Sequence, residues 1–149
     1  MTDVWFYHLE QQTLKQVLPV LVAKSLAQKI KIAIEAPAEA QLAAISDMLW
    51  AHEDVAFLPH GSGPDGKPHV QPVWLTATPE NANAATFRFY VEGAMPQSLD
   101  GLARAIILFH ADDEQALLSA RDEWKKRKGE GHAISYWKQD EAGKWQNLA

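Results

Sequence analysis

Val4-Trp5-Phe6-Tyr7-His8-Leu9 is a run of β-branched, aromatic and aliphatic residues with little polar relief. Such a run reads as a strand buried on both faces, as in the middle of a parallel sheet. Leu14, Val17, Leu18, Leu21, Val22, Ser25 and Leu26 then recur at intervals of three and four, the period of an amphipathic helix. Pro19 falls inside that run, where it can kink the helix or shift its start. Ile30-Lys31-Ile32-Ala33-Ile34-Glu35-Ala36 alternates strictly and predicts a second strand whose isoleucines face one way. Pro37 stands where a helix can begin, and Leu42, Ile45, Met48 and Leu49 form one stripe of a helix over Ala38 to His52. Strand, helix, strand, helix is the alternation that builds a parallel sheet with covering helices.

Working outward, Pro59 to Pro72 is rich in glycine and proline and predicts an exposed loop. Val73 to Thr78 and Thr86 to Val91 predict strands joined by the turn-forming Pro79 to Asn83. Leu99 to Ala103 has room for a short helix at most, and Ala105 to Phe109 is another interior-type strand. Asp113 to Lys128 predicts a helix with acids in its first turn and bases in its last, stopped by Gly129 and Gly131. Ile134 to Trp137 and Lys144-Trp145, around a turn at Glu141 to Gly143, predict a terminal strand or hairpin. The expected fold is therefore α/β, a single three-layer domain over residues 1–149 with a nucleotide-binding-like, Rossmann-like sheet.

Composition narrows the function classes. A chain of 149 residues suits one domain and has no cysteine, so disulfides and thiolate metal sites are excluded. Met1 to His8 shows no basic segment leading into an apolar one, and no apolar run approaches the ~20 residues that cross a bilayer. A soluble, cytoplasmic protein without membrane contact is the expectation. The glycine-rich turn that cradles phosphate is missing, because Glu10-Gln11-Gln12-Thr13 follows the first strand. His60 to Gly66 contains Gly61-Ser62-Gly63, which does not match the G-x-S-x-G nucleophile elbow. Six histidines lie singly with no metal-ligand spacing, so neither metal nor cofactor is expected.

His110 and Asp112 follow a buried strand, where α/β enzymes keep catalytic groups, although Asp112-Asp113 reads equally as a helix cap. An enzyme acting there on a small metabolite is one alternative. Arg121 to Lys128 carries five of the fourteen Lys and Arg residues and a formal charge of +3, leaving −8 elsewhere on a chain of −5. Such an island favours an anionic partner. Steps of three and four place Leu117, Arg121, Trp124, Lys125 and Lys128 on one face, with Lys126 and Arg127 left as solvated charge. That face suits a short acidic peptide ending in an aromatic residue, or it is a helix end that complements its dipole with Trp124 packed inward. The overall negative charge opposes the second alternative, a direct binder of single-stranded nucleic acid. A second patch, Met48 to His52 with Val55 to His60, reads as core or, through Trp50 and Phe57, as a partner surface.

Phe6-Tyr7-His8-Leu9, Leu49-Trp50, Phe57-Leu58-Pro59-His60-Gly61, Pro72-Val73-Trp74-Leu75, Ala120 to Lys125, Gly131-His132 and Tyr136-Trp137 occur in an order that resembles the chi subunit of bacterial DNA polymerase III. The resemblance implies a fold without a phosphate-binding loop and a non-catalytic connector in the clamp-loader assembly. It implies binding to the acidic C-terminal tail of single-stranded-DNA-binding protein, which ends in proline and phenylalanine, through Arg121, Trp124, Lys125 and Lys128. A family lysine earlier in that helix falls at Leu117. It also implies a surface for the psi subunit, shared with a helicase-like partner, at Trp50, Phe57, Leu58, Pro59 and His60.

Overall fold

The computed structural model describes residues 2–10, 12–50, 60–62, 73–78, 85–99, 101–142 and 144–147, with the side chains of 50 and 60–62 outside that description. In chain order the elements are β1 (Asp3–Leu9), α1 (Leu14–Ala27), β2 (Ile32–Glu35), a 3-10 turn (Glu39–Gln41), α2 (Leu42–Trp50), β3 (His60–Ser62), β4 (Val73–Thr76), β5 (Phe87–Tyr90), β6 (Arg104–His110), α3 (Glu114–Gly129), β7 (Ala133–Gln139) and β8 (Trp145–Asn147). Among the described residues these strands form one sheet in the order β3-β4-β2-β5-β6-β1-β7-β8. Each neighbouring pair is parallel except β7 with β8. The fold is α/β and Rossmann-like.

Side-chain alternation divides the core in two. Tyr7 and Leu9 of β1, Ile32 and Ile34 of β2, and Ile106 and Leu108 of β6 are buried with α1 and α2. Val4 and Phe6, Ala105, Ile107 and Phe109 emerge on the other face and pack with Ala116 and Ala120 of α3. Helices on both faces explain why β1 and β6 read as continuous apolar runs, since neither face is left to water.

α1 runs through Pro19 without a break. Pro19 lies past the first turn, so the helix forgoes the bond to the Lys15 carbonyl there, while the buried ring contributes to packing. Thr13 opens it, its N–H donating to Gln16 Oε1 at 2.9 Å.

The structure departs from expectation in two places. β2 spans only Ile32–Glu35, and its second face is buried too, with Ala33 enclosed and Glu35 paired. The loop expected over Pro59 to Pro72 contains β3, whose Gly61 lies opposite Trp74. Within the sheet, β4 and β5 are separated by β2, which pairs with both. Leu102 N–H donates to Leu99 O at 3.1 Å, closing a turn where a short helix at most was expected. Gly101 there has φ +77, the left-handed region that ends such a turn. The predicted turn at Pro79 to Asn83 lies outside the described residues.

Glu35 and Arg88 form an ion pair across β2 and β5 at 2.6 Å, with Arg88 also donating to Thr78 O at 2.6 Å. Both side chains are almost fully enclosed. Removing one charge strands the other in low dielectric, so Arg88→Met alone is expected to lower unfolding free energy by about 3 kcal/mol, whereas Glu35→Leu with Arg88→Met recovers much of that loss. Urea unfolding of the single and double variants checks this, and equal losses in both would contradict it.

Candidate functional site

α3 begins at Asp113, whose carboxylate accepts the Ala116 N–H at 3.1 Å. It ends with Lys126, Arg127 and Lys128 in its last turn, favourable at the negative end of the helix dipole. Its buried stripe is Ala116, Ala120, Glu123 and Arg127. Two alanines let the helix sit close to the sheet, and the stripe then finishes in a buried ion pair.

That pair corrects the assignment of Arg127 to solvated charge. Arg127 is 4% exposed and Glu123 7%. Its Nε contacts Glu123 Oε1, Nη1 reaches Glu130 Oε1 at 3.0 Å, and Nη2 donates to the Pro96 carbonyl at 3.0 Å. It is a structural anchor. Lys126 is exposed, in keeping with a solvated charge.

The neighbouring stripe of α3 borders a groove of about 430 Å³ lined by Leu117, Ala120, Arg121, Trp124 and Lys125, with Phe109 from β6 and Tyr136 from β7. Arg121 and Lys125 are exposed, whereas Trp124 and Leu117 are half-buried. Three of the four residues named for this helix thus converge on one apolar groove with a cationic rim. Lys128 does not line it; its ammonium lies 4.5 Å from the Trp124 ring centroid, a cation–π contact. Leu117, on the same helix face, supplies apolar wall.

Phe109 and Tyr136 were not named as site residues. β7 pairs with β1 so that Tyr136 stands opposite Phe6, and β6 pairs on the other side of β1. Only the sheet order brings both rings beneath α3, and no local pattern carries that information. Behind them His8 touches both, its ring centroid 5.1 Å from Phe109 and 5.8 Å from Tyr136. His8 Nδ1 lies 2.5 Å from the Tyr136 hydroxyl. With the phenol donating, Nδ1 is the acceptor of a neutral imidazole and Nε2 carries the proton, facing Glu10 at 3.5 Å. Burial lowers the His8 pKa, opposed by Glu10 and aided by Lys138. Burial raises that of Tyr136, with Arg121 pulling the other way.

His110 and Asp112 do not line the groove. Asp112 is exposed, while Asp113 caps the helix. Among the described residues there is no group of three His, Asp or Glu able to hold a metal ion. No described helix is long and apolar enough to cross a membrane. Of the second predicted surface, the backbone of Trp50 ends α2 and that of His60 begins β3. Phe57, Leu58 and Pro59, and the side chains of Trp50 and His60, lie outside the described residues.

The family described as DNA polymerase III chi subunit, HolC, matches residues 1–135. That span covers most of the chain, which therefore belongs to this family and is a DNA polymerase III subunit of DNA replication. No curated protein sequence matches it significantly.

Two measurements check the site's internal wiring. Replacing Arg127 with Ala leaves Glu123 buried and unpaired and is expected to cost about 3 kcal/mol, against less than about 0.5 kcal/mol for Lys126→Ala. The folded His8 pKa lies below the ordinary value of 6.5, so the unfolded chain binds the proton first as pH falls. The stability associated with neutral His8 is therefore complete above pH ~6.5 and is lost as pH falls through the lower folded value. Urea midpoints should drop on acidification more in wild type than in His8→Gln; an equal drop would show that His8 is not the group responsible.

Proposed function

We propose that this chi-family chain is a non-catalytic, cytoplasmic connector that holds the acidic C-terminal tail of single-stranded-DNA-binding protein in the α3 groove. A second surface, Trp50, Phe57, Leu58, Pro59 and His60, binds the psi subunit and by the same residues a helicase-like partner. The observation that carries the reading is the pairing of an apolar groove with a cationic rim on a chain of net charge −5. Membership of the chi family supports choosing this tail among acidic peptides.

In this reading the terminal phenyl ring enters between Trp124 and the Phe109–Tyr136 wall. Burying such a ring contributes roughly 2–3 kcal/mol. Arg121 and Lys125 meet the tail's carboxylates from the rim, where they are solvated and screened, and each contributes less. The guanidinium of Arg121 can take the terminal carboxylate in a bidentate grip, which an ammonium cannot. The ring therefore governs dissociation, and the rim governs encounter rate and salt dependence. Lys128, stacked on Trp124, holds the indole and adds positive potential without touching the groove.

Titration of a tail peptide ending in proline and phenylalanine tests this. Trp124→Ala is expected to weaken binding about tenfold or more and to speed dissociation, while Arg121→Ala and Lys125→Ala weaken it by about threefold to tenfold and flatten its salt dependence. Unchanged affinity in both charge variants would sink the assignment. Pull-down of psi should survive these substitutions and be lost in a Trp50/Phe57 double alanine variant.

A further inference from the structure

The opposite face of the sheet carries a second groove along α1. It has compartments of about 230 Å³ and about 410 Å³ that share Trp5, Tyr7, Leu21 and Lys24. The first adds Arg104 and Phe87; the second adds Val20, Trp137 and Trp145.

Arg104 has an unusual environment. Its guanidinium carbon lies 3.8 Å from the Trp5 ring centroid and 4.7 Å from that of Phe87, which fixes the orientation of its plane. The nearest carboxylate oxygen, on Asp3, is 3.9 Å away, beyond hydrogen-bond length. Among the described residues, the buried Arg104 Nε and Trp137 Nε1 have no hydrogen-bond partner. Buried donors are almost always paired, by protein, water or ligand. A guanidinium held flat by aromatic rings is pre-organised for a carboxylate or phosphate. The facing wall offers the exposed ammonium of Lys24, with exposed Lys29 just beyond the end of α1.

The other compartment has different chemistry. Trp5, Trp137, Tyr7 and Trp145 form a continuous ring array, with Trp5 to Trp137 at 5.5 Å and Tyr7 to Trp145 edge-on at 5.0 Å. Val20, 40% exposed, borders it from α1. A ligand matching the whole groove is elongated, anionic at one end and apolar or aromatic at the other. A nucleic-acid strand fits less well, because charge alternates with every base along it and a chain of −5 offers only two cations in this groove.

We propose that the α1 groove is a second peptide-docking site, for an acidic segment whose carboxylates seat on Arg104 and Lys24 and whose aromatic or large apolar side chains lie against Trp5, Trp137 and Trp145. The proposal is independent of the role of the α3 groove.

The probe is a fluorescein-labelled, C-terminally amidated peptide of several aspartates followed by two phenylalanines, followed by anisotropy on the full chain. Amidation removes the terminal carboxylate that the α3 reading requires. Lys24→Glu and Arg104→Lys are each expected to weaken binding about tenfold, while the Arg121→Ala/Lys125→Ala variant binds as wild type does. Lys24 is exposed on a helix, so its replacement reports on binding even if an Arg104 variant folds poorly. Absence of wild-type binding, unchanged affinity in Lys24→Glu, or loss in the Arg121/Lys125 variant overturns the proposal. So does a dT oligonucleotide that binds through Lys24 and Arg104 where the peptide does not.

Discussion

The seating of α3 on the sheet is the constraint from which the principal groove follows. Ala116 and Ala120 face inward, and Arg127 ties the last turn to the Pro96 carbonyl while neutralising Glu123. Small inward side chains bring the helix axis near the strands, and Leu117 and Trp124 then line the groove together with Phe109 and Tyr136. Larger residues in place of Ala116 and Ala120 would lift the helix and fill the space beside it. A helix of low hydropathy is thus held by close approach and one buried ion pair instead of by a broad apolar stripe. Because an unpaired charge there is costly, the anchor also makes the helix position definite. A definite position is what a recognition groove needs, since a ring displaced by an ångström loses much of its contact energy.

Charge placement follows the same geometry. Basic residues gather in the second half of α3, three of them in the last turn where the helix dipole favours them, and only the two before that turn reach the groove. Arg121 and Lys125 lie on its rim, Lys128 backs Trp124, and Arg127 turns inward. One compact positive island therefore divides among binding rim, aromatic support and structural anchor. The five bases of the eight-residue stretch are chemically alike, yet helical angle separates the roles of Arg121, Lys125, Arg127 and Lys128 and leaves Lys126 in solvent.

That division shows what was legible in the sequence. The α/β class was written in the doubly buried runs of β1 and β6 and in the helical spacing of α1, because period and burial are local properties. The rim was legible for the same reason, since helical steps from Leu117 gather Arg121, Trp124 and Lys125. Arg127 was misassigned because its partners include Pro96, thirty-one residues away, and no helical wheel displays them. Phe109 and Tyr136 were missed because their proximity depends on β1 lying between β6 and β7. β3 was hidden for a different reason: its pairing with β4 gives backbone hydrogen bonds to a Gly-containing segment of low strand propensity.

β1 shows how far one strand can serve two surfaces. Alternation sends Phe6 and His8 toward α3 and Trp5 and Tyr7 toward α1. His8 stands behind the α3 groove by holding Tyr136, while Trp5 supports Arg104 in the α1 groove. The two are adjacent but for two residues along the chain, yet a sheet thickness of packed side chains separates their surroundings. A substitution at His8 therefore acts on the α3 groove through Tyr136, and one at Trp5 acts on the α1 groove through Arg104, with the pleat keeping the effects apart. Coupling between the grooves would require β1 to shift as a whole. Its parallel pairing on both edges, with β6 and β7, opposes any such shift. The fold thus places two grooves of similar lining, aromatic with a cationic edge, back to back and insulates each from the other.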